Sequence, residues 1–110
     1  MDAERQRVIS LRLTRERIEE RVHELAVQGE VAFSGHALDR MEERDISDIQ
    51  VIRVLKRGDL RGEVEAGTRQ GEWKCKIVDT GRGAREIGVV TLLIKNRRLF
   101  VKTVEWEDMR

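Results

Sequence analysis

The chain is poor in the residues that usually announce a site: of 110 residues, one is cysteine, two are histidine and four are aromatic. A lone Cys75 excludes an intramolecular disulfide, which fits a reducing, cytoplasmic setting. Cys75 with His23 and His36 falls short of the usual four-ligand zinc set, and no other metal or cofactor is implied. The charged start Met1-Asp2-Ala3-Glu4-Arg5 leads into no apolar segment of the signal-peptide kind. No run is long enough to span a bilayer. With only Phe33, Trp73, Phe100 and Trp106 as aromatics, aliphatic side chains must supply most of the core.

What is present is charge, unevenly spread. Residues 1–60 hold eleven basic and thirteen acidic groups, whereas residues 69–102 hold nine basic groups against three acids. The formal net charge is only +1, so any basic face must be local. Solvated strand edges and loops are the plainer reading of the same excess. The length suits one domain, and 39% apolar residues can fill one core.

Val8, Leu11, Ile18, Val22 and Leu25 recur at three- and four-residue steps, with Arg15 in the one gap. They mark the seam of an amphipathic helix over 4–28 that Gly29 ends. Arg12/Glu16 and Arg15/Glu19 are spaced as ion pairs along it. Such a seam packs either on a partner chain, making a homodimer, or on its own domain. Residues 1–30 are therefore set apart as an N-terminal extension, and 31–110 as the domain proper.

Residues 30–33 read as a short strand or extended entry. Ser34 then caps a helix over 35–44, with Phe33 placed to staple onto Leu38, and Ala37, Leu38 and Met41 turned to the core. Ser47-Asp48-Ile49-Gln50 is a capping box, Ile46 and Val51 a second staple, and Gly58 closes that helix. Its core side is Val51, Ile52, Val54 and Leu55.

From Arg61 the period becomes two. Residues 62–66 make a weak strand, and Trp73, Cys75 and Ile77 alternate with Lys74 and Lys76 in a half-buried one. Residues 80–85 form a loop, 87–94 a central strand apolar on both faces, and 99–106 the last strand. The expected fold is α+β, with N-terminal helices on an antiparallel sheet of three to four strands.

His36, Arg40 and Arg44 are four apart, so one side of the second helix carries all three. An imidazole can take or give a proton near neutral pH, and a guanidinium can grip a phosphate in bidentate fashion. These are the parts for metal-independent RNA cleavage, in which a base deprotonates the 2′-hydroxyl and a cation stabilises the phosphorane. The structural alternative makes His36 a cap and pairs the arginines with Glu43 or Asp48. Lys74, Lys76 and Lys102 can line one sheet face that tracks a phosphate backbone, with Arg85 beside it. Glu105 is a second candidate base, or part of a polar tail. Trp73 and Trp106 suit core anchoring better than base stacking, and Cys75 suits packing.

The run His36-Ala37-Leu38-Asp39-Arg40-Met41-Glu42-Glu43-Arg44-Asp45-Ile46, then Val51-Ile52-Arg53-Val54-Leu55 and Gly58, resembles the DUF4258 family of small bacterial domains. Ile87 to Thr91 and Val101 to Val104 resemble its paired closing strands, so the likeness covers about residues 31–106. That family's plan is in turn similar to the small RelE-like toxins. The resemblance implies a fold of that kind, RNA or the ribosome as target, endoribonuclease activity and an antitoxin protein as partner. It carries no agreed catalytic set. The expected site is then His36 and Arg40 for catalysis, with Arg44, Lys74, Lys76, Arg85 and Lys102 on RNA. A non-enzymatic interaction module working through the first helix is the alternative.

Overall fold

Local capping signals decide where two of the three helices begin. In the computed structural model, which describes the backbone of residues 3–80 and 85–108 and side chains from Arg15 onward except Thr80, Ser34 Oγ accepts the Ala37 N–H at 2.9 Å and starts α2 (Gly35–Arg44). Ser47 and Gln50 complete the capping box: the Gln50 N–H donates to Ser47 Oγ at 3.2 Å and the Ser47 N–H to Gln50 Oε1 at 2.8 Å. That box starts α3 (Asp48–Arg57), and both members of the staple beneath it, Ile46 and Val51, are buried. Leu38 corrects the first staple, since it is 52% exposed while Ala37 and Met41 hold the core side. Ile52 is half-buried rather than central to the core.

Gly58 ends α3 for reasons of space. Its φ of −73° is open to any residue, but a Cβ there would lie 2.7 Å from the Val54 carbonyl and 2.7 Å from Ile77 Cγ2. The helix therefore meets the sheet with no room for a side chain, and the chain turns straight into β2 (Asp59–Ala66).

The sheet has five strands, not three to four, and is mixed rather than wholly antiparallel. β1 (Val31–Phe33), β2, β3 (Glu72–Thr80), β4 (Glu86–Ile94) and β5 (Arg98–Trp106) lie in the order β1-β5-β4-β3-β2. The extra strand is β1, which pairs in parallel with β5 through Val31↔Leu99, Ala32↔Phe100 and Phe33↔Val101. β4 is the central strand, as its two apolar faces demand. β2 starts earlier than its alternation suggests, because a register shift between Arg61 and Glu65 interrupts the period. A second shift lies on β5: Thr103 faces Val90 and Val101 faces Thr91, so Lys102 sits between them without an opposite residue.

All three helices pack on one face of the sheet. Ile18, Val22 and Leu25 from α1 (Ala3–Gln28), Met41 from α2 and Leu55 from α3 join Cys75, Ile77, Val89, Leu93, Leu99, Val101 and Val104 in a single buried cluster. The described half of the first-helix seam therefore docks on its own chain. Val8, Leu11 and Arg12 lie outside the described side chains. In place of the expected Arg15/Glu19 pair, both residues bond backbone of the edge strand. Arg15 donates to the Gly62 carbonyl at 2.6 Å, and Glu19 accepts the Leu60 N–H at 2.7 Å. One turn further on, His23 Nε2 lies 2.7 Å from the Gly58 carbonyl.

Two outcomes follow. Leu25→Ala, which hollows the core under α1, should lower stability by about 2–5 kcal/mol in a denaturant melt; a loss near zero would detach α1 from the core. Burial pushes the Cys75 thiol up to about 12, with Arg15 pulling weakly the other way. The reactive thiolate is scarce below that pH, so Cys75 should resist a disulfide-exchange reagent at pH 8 in the folded protein and react at the ordinary rate in denaturant.

Candidate functional site

The sheet's other face carries no helix among the described residues, and its cross-strand rows can be read from the register. Glu72, Ile94 and Arg98 form the row nearest the β4–β5 turn. Lys74, Leu92, Phe100 and Ala32 form the next, and Lys76, Val90 and Thr103 the one after. The last row sets Val78 beside Gly88 and Glu105. Partly exposed Leu92, Ile94 and Phe100 thus form an apolar strip between cations.

The two ends of this face differ in charge pairing. At the end away from the turn, Lys76 Nζ lies 3.0 Å from Glu105 Oε1 and 2.8 Å from Glu107 Oε2. Gly88 makes that possible, because a Cβ there would stand 2.5 Å from Glu107 Oε2 and 2.7 Å from Lys76 Cε. Arg61 holds Glu86 at 2.6 Å and Arg85 holds Asp108 at 2.9 Å. Hydrogen bonds from these arginines keep the Glu86 and Asp108 carboxyls below the ordinary carboxylate range. Partial burial opposes the charge on Lys76, but its hydrogen bonds to Glu107 and Glu105 outweigh that and raise its pKa. These cations are engaged within the protein.

The turn end is different. Lys74, Arg98 and Lys102 are exposed on the face, and Arg69, Lys95 and Arg97 are exposed at its rim. None of the six makes an ion pair among the described residues, although Glu65 stands across from Lys74 and Glu72 lies within the cluster. A depression of about 410 Å³ opens there between Arg69, Gln70, Glu72, Ile94, Lys95, Arg97 and Arg98. Two turns make it. Lys95, Asn96 and Arg97 connect the paired Ile94 and Arg98: Lys95 and Asn96 take left-handed φ values of 50° and 58°, and the Arg97 N–H donates to the Ile94 carbonyl at 2.9 Å. The Lys95 N–H donates to the Gly71 carbonyl at 2.8 Å, which locks this hairpin to the β2–β3 turn and its Arg69.

The expected site residues divide across these layers. His36 is exposed near the start of α2, and no hydrogen bond or ion pair among the described residues involves it. Arg40, one turn on, pairs with Glu43. Arg44 donates to the Val104 carbonyl at 2.7 Å, while its own carbonyl accepts the Trp106 Nε1–H at 2.9 Å. Arg44 and Trp106 thus tie the end of α2 to β5, with Arg85 4.1 Å above the indole. Since α2 packs on the helical face, His36 and Arg40 are in a different layer from Lys74, Lys76 and Lys102, and the structure does not bring them into one cluster. Lys102 lies closest to α2, because its carbonyl accepts from Ser34 Oγ at 3.1 Å.

Sequence reasoning counted Arg69, Lys95, Arg97 and Arg98 in the basic excess but did not assign them to the site. Their convergence depends on the pairing of Glu72 with Ile94, 22 residues apart in sequence, which brings two turns together. The run Lys95-Asn96-Arg97-Arg98 was the available signal. A second basic group, Arg53, Lys56 and Arg57, borders a shallow depression on the exposed side of α3. There the last-turn cations are already accounted for by the helix dipole. Among the described residues no three His, Cys, Asp or Glu side chains converge as a metal site requires, and no helix is long and apolar enough to cross a membrane.

No curated protein and no solved structure matches the chain. A family model does, and it spans α2, α3 and all of the paired strands from the end of β1 to β5. With residues 33–106 matched, the chain belongs to the family described as Domain of unknown function (DUF4258).

Proposed function

We propose that this domain binds RNA, with the sugar–phosphate backbone on the turn end of its open sheet face. The observation that carries the reading is the contrast between paired and unpaired cations on one sheet. Lys74, Arg98, Lys102, Arg69, Lys95 and Arg97 make no ion pair among the described residues, whereas Lys76, Arg61 and Arg85 are each held by carboxylates. Unpaired cations beside an apolar strip suit a polyanion whose condensed counterions are released on binding. The likeness of the helix-and-sheet plan to small RelE-like toxins points the same way as an analogy of fold, and on it the ribosome would present the RNA and an antitoxin would cover the protein. The alternative, a homodimer through the first-helix seam, has less to stand on because Ile18, Val22 and Leu25 already face the domain's own core.

Salt-dependent anisotropy with a labelled single-stranded RNA tests the binding. Each phosphate contact adds about 0.7 to the slope of log K against log salt, so replacing Lys74, Arg98 and Lys102 by Ala should flatten it by roughly two. Lys76→Ala should leave the slope nearly unchanged, because its charge is already held by Glu105 and Glu107. A wild-type slope near zero would sink the proposal.

As a second activity we propose cleavage: His36, exposed and without a hydrogen bond or ion pair among the described residues, lies in the helical layer, and a strand passing Lys102, whose carbonyl accepts from Ser34, would bring a 2′-hydroxyl to the imidazole for proton transfer. His36→Ala should then abolish cleavage while leaving binding nearly intact. A proton-transfer group acts in the transition state, whereas phosphate contacts are already present in the bound state. Cleavage that survives His36→Ala removes the imidazole from the chemistry.

A further inference from the structure

The second tryptophan is placed unlike the first. Trp106 uses its N–H on the Arg44 carbonyl and lies under Arg85, the arrangement of an anchor. Trp73 is 40% exposed, and its indole N–H has no hydrogen-bond partner among the described residues. An anchoring indole normally buries most of its large surface and satisfies its N–H, and Trp73 does neither. It sits on the helical side of the sheet, at the wall of a depression of about 330 Å³. Leu93 and Ile18 form the buried apolar floor of that depression, and Arg17, Lys95 and Asn96 form its rim. The Asn96 side-chain amide also has no partner among the described residues, although Arg21 Nε fixes its backbone carbonyl at 2.9 Å and so holds the turn in place. Lys95 borders both this depression and the basic one on the opposite side of the hairpin.

Resting on the RNA reading, we propose that this depression is a pocket for one unpaired nucleobase, stacked on Trp73. Every base has a flat π-face for an indole and polar edges for a carboxamide, and the phosphate flanking it would meet Arg17 or Lys95. Because Lys95 is shared, an RNA strand held on the basic side reaches the pocket by crossing the β4–β5 turn. A base within a duplex is stacked and paired on both sides and cannot enter. The domain therefore selects single-stranded over double-stranded RNA.

The experiment titrates the intact chain with a single-stranded RNA and with the same sequence annealed into a duplex, following anisotropy and tryptophan emission. The wild type should bind the single strand at least about tenfold more tightly and be quenched by it. Trp73→Leu should weaken single-strand binding by roughly five- to 150-fold, the range for loss of one base stack, with duplex binding little changed. Trp73→Phe should recover part of that loss. Asn96→Gly, which suits the left-handed backbone at φ 58°, should weaken single-strand binding several-fold without disturbing the turn. It decides the matter should Trp73→Leu fail to fold by circular dichroism. Equal affinity for the two RNA forms, or variants that bind as the wild type does, would overturn the pocket and leave RNA binding standing. Failure to bind either form would remove both.

Discussion

The structure depends on how the free edge of β2 is held by α1. An edge strand presents unpaired N–H and C=O groups, and left open it would recruit another strand. Here Arg15, Glu19 and His23, spaced four apart on α1, reach the backbone of Gly62, Leu60 and Gly58 in turn. Ile18, Val22 and Leu25 place the adjoining stripe of the same helix in the core. One helix thus closes both the hydrophobic layer and the polar edge. Its position also sets Ile18 and Arg17 beside Trp73, and Arg21 against the β4–β5 turn.

With the helices confined to one face, the opposite face of the sheet is left for other uses. Its two ends are handled by opposite means. Away from the turn, Gly88 removes a side chain so that Lys76 can lie across the sheet to Glu105 and Glu107, and charge is neutralised inside the protein. At the turn, two hairpins are bonded tip to tip through Lys95 and Gly71, and their cations make no ion pair among the described residues. A nearly neutral chain can therefore display a basic end: most of its acids lie within residues 1–60, and Glu105, Glu107 and Asp108, in and after β5, pair with Lys76 and Arg85. The proposed RNA site is the part of the sheet that internal pairing leaves over.

Short-range signals were legible because their physics is local. Ser34, Ser47 and Gln50 satisfy amides within three residues, so α2 and α3 begin where the sequence says they do. The double-faced apolar run of residues 87–94 fits a strand flanked on both sides, and β4 is central. The errors came where partners are remote. A short strand at residues 30–33 could be read, but not its place in the sheet, because its partner in β5 lies 68 residues away. Leu38 has the spacing of a core residue, but Ala37 and Met41 occupy the side of α2 that meets the core and Leu38 is left exposed. The lysines shared a strand face as expected, yet whether each charge is free depended on acids from another strand.

By itself the sequence determined the kind of molecule: one α+β domain, its helix caps, its strand phases, and a second half rich in cations. Those follow from backbone hydrogen bonding and side-chain period, which act over a few residues. Tertiary structure alone decided which cations are unpaired, that His36 lies in the helical layer while Lys74 and Lys102 lie on the open face, and that Arg69 meets Arg98. Charge pairing and convergence are properties of distance in space, and the bulges and turns that set those distances displace whole rows of side chains without leaving a periodic trace in the chain.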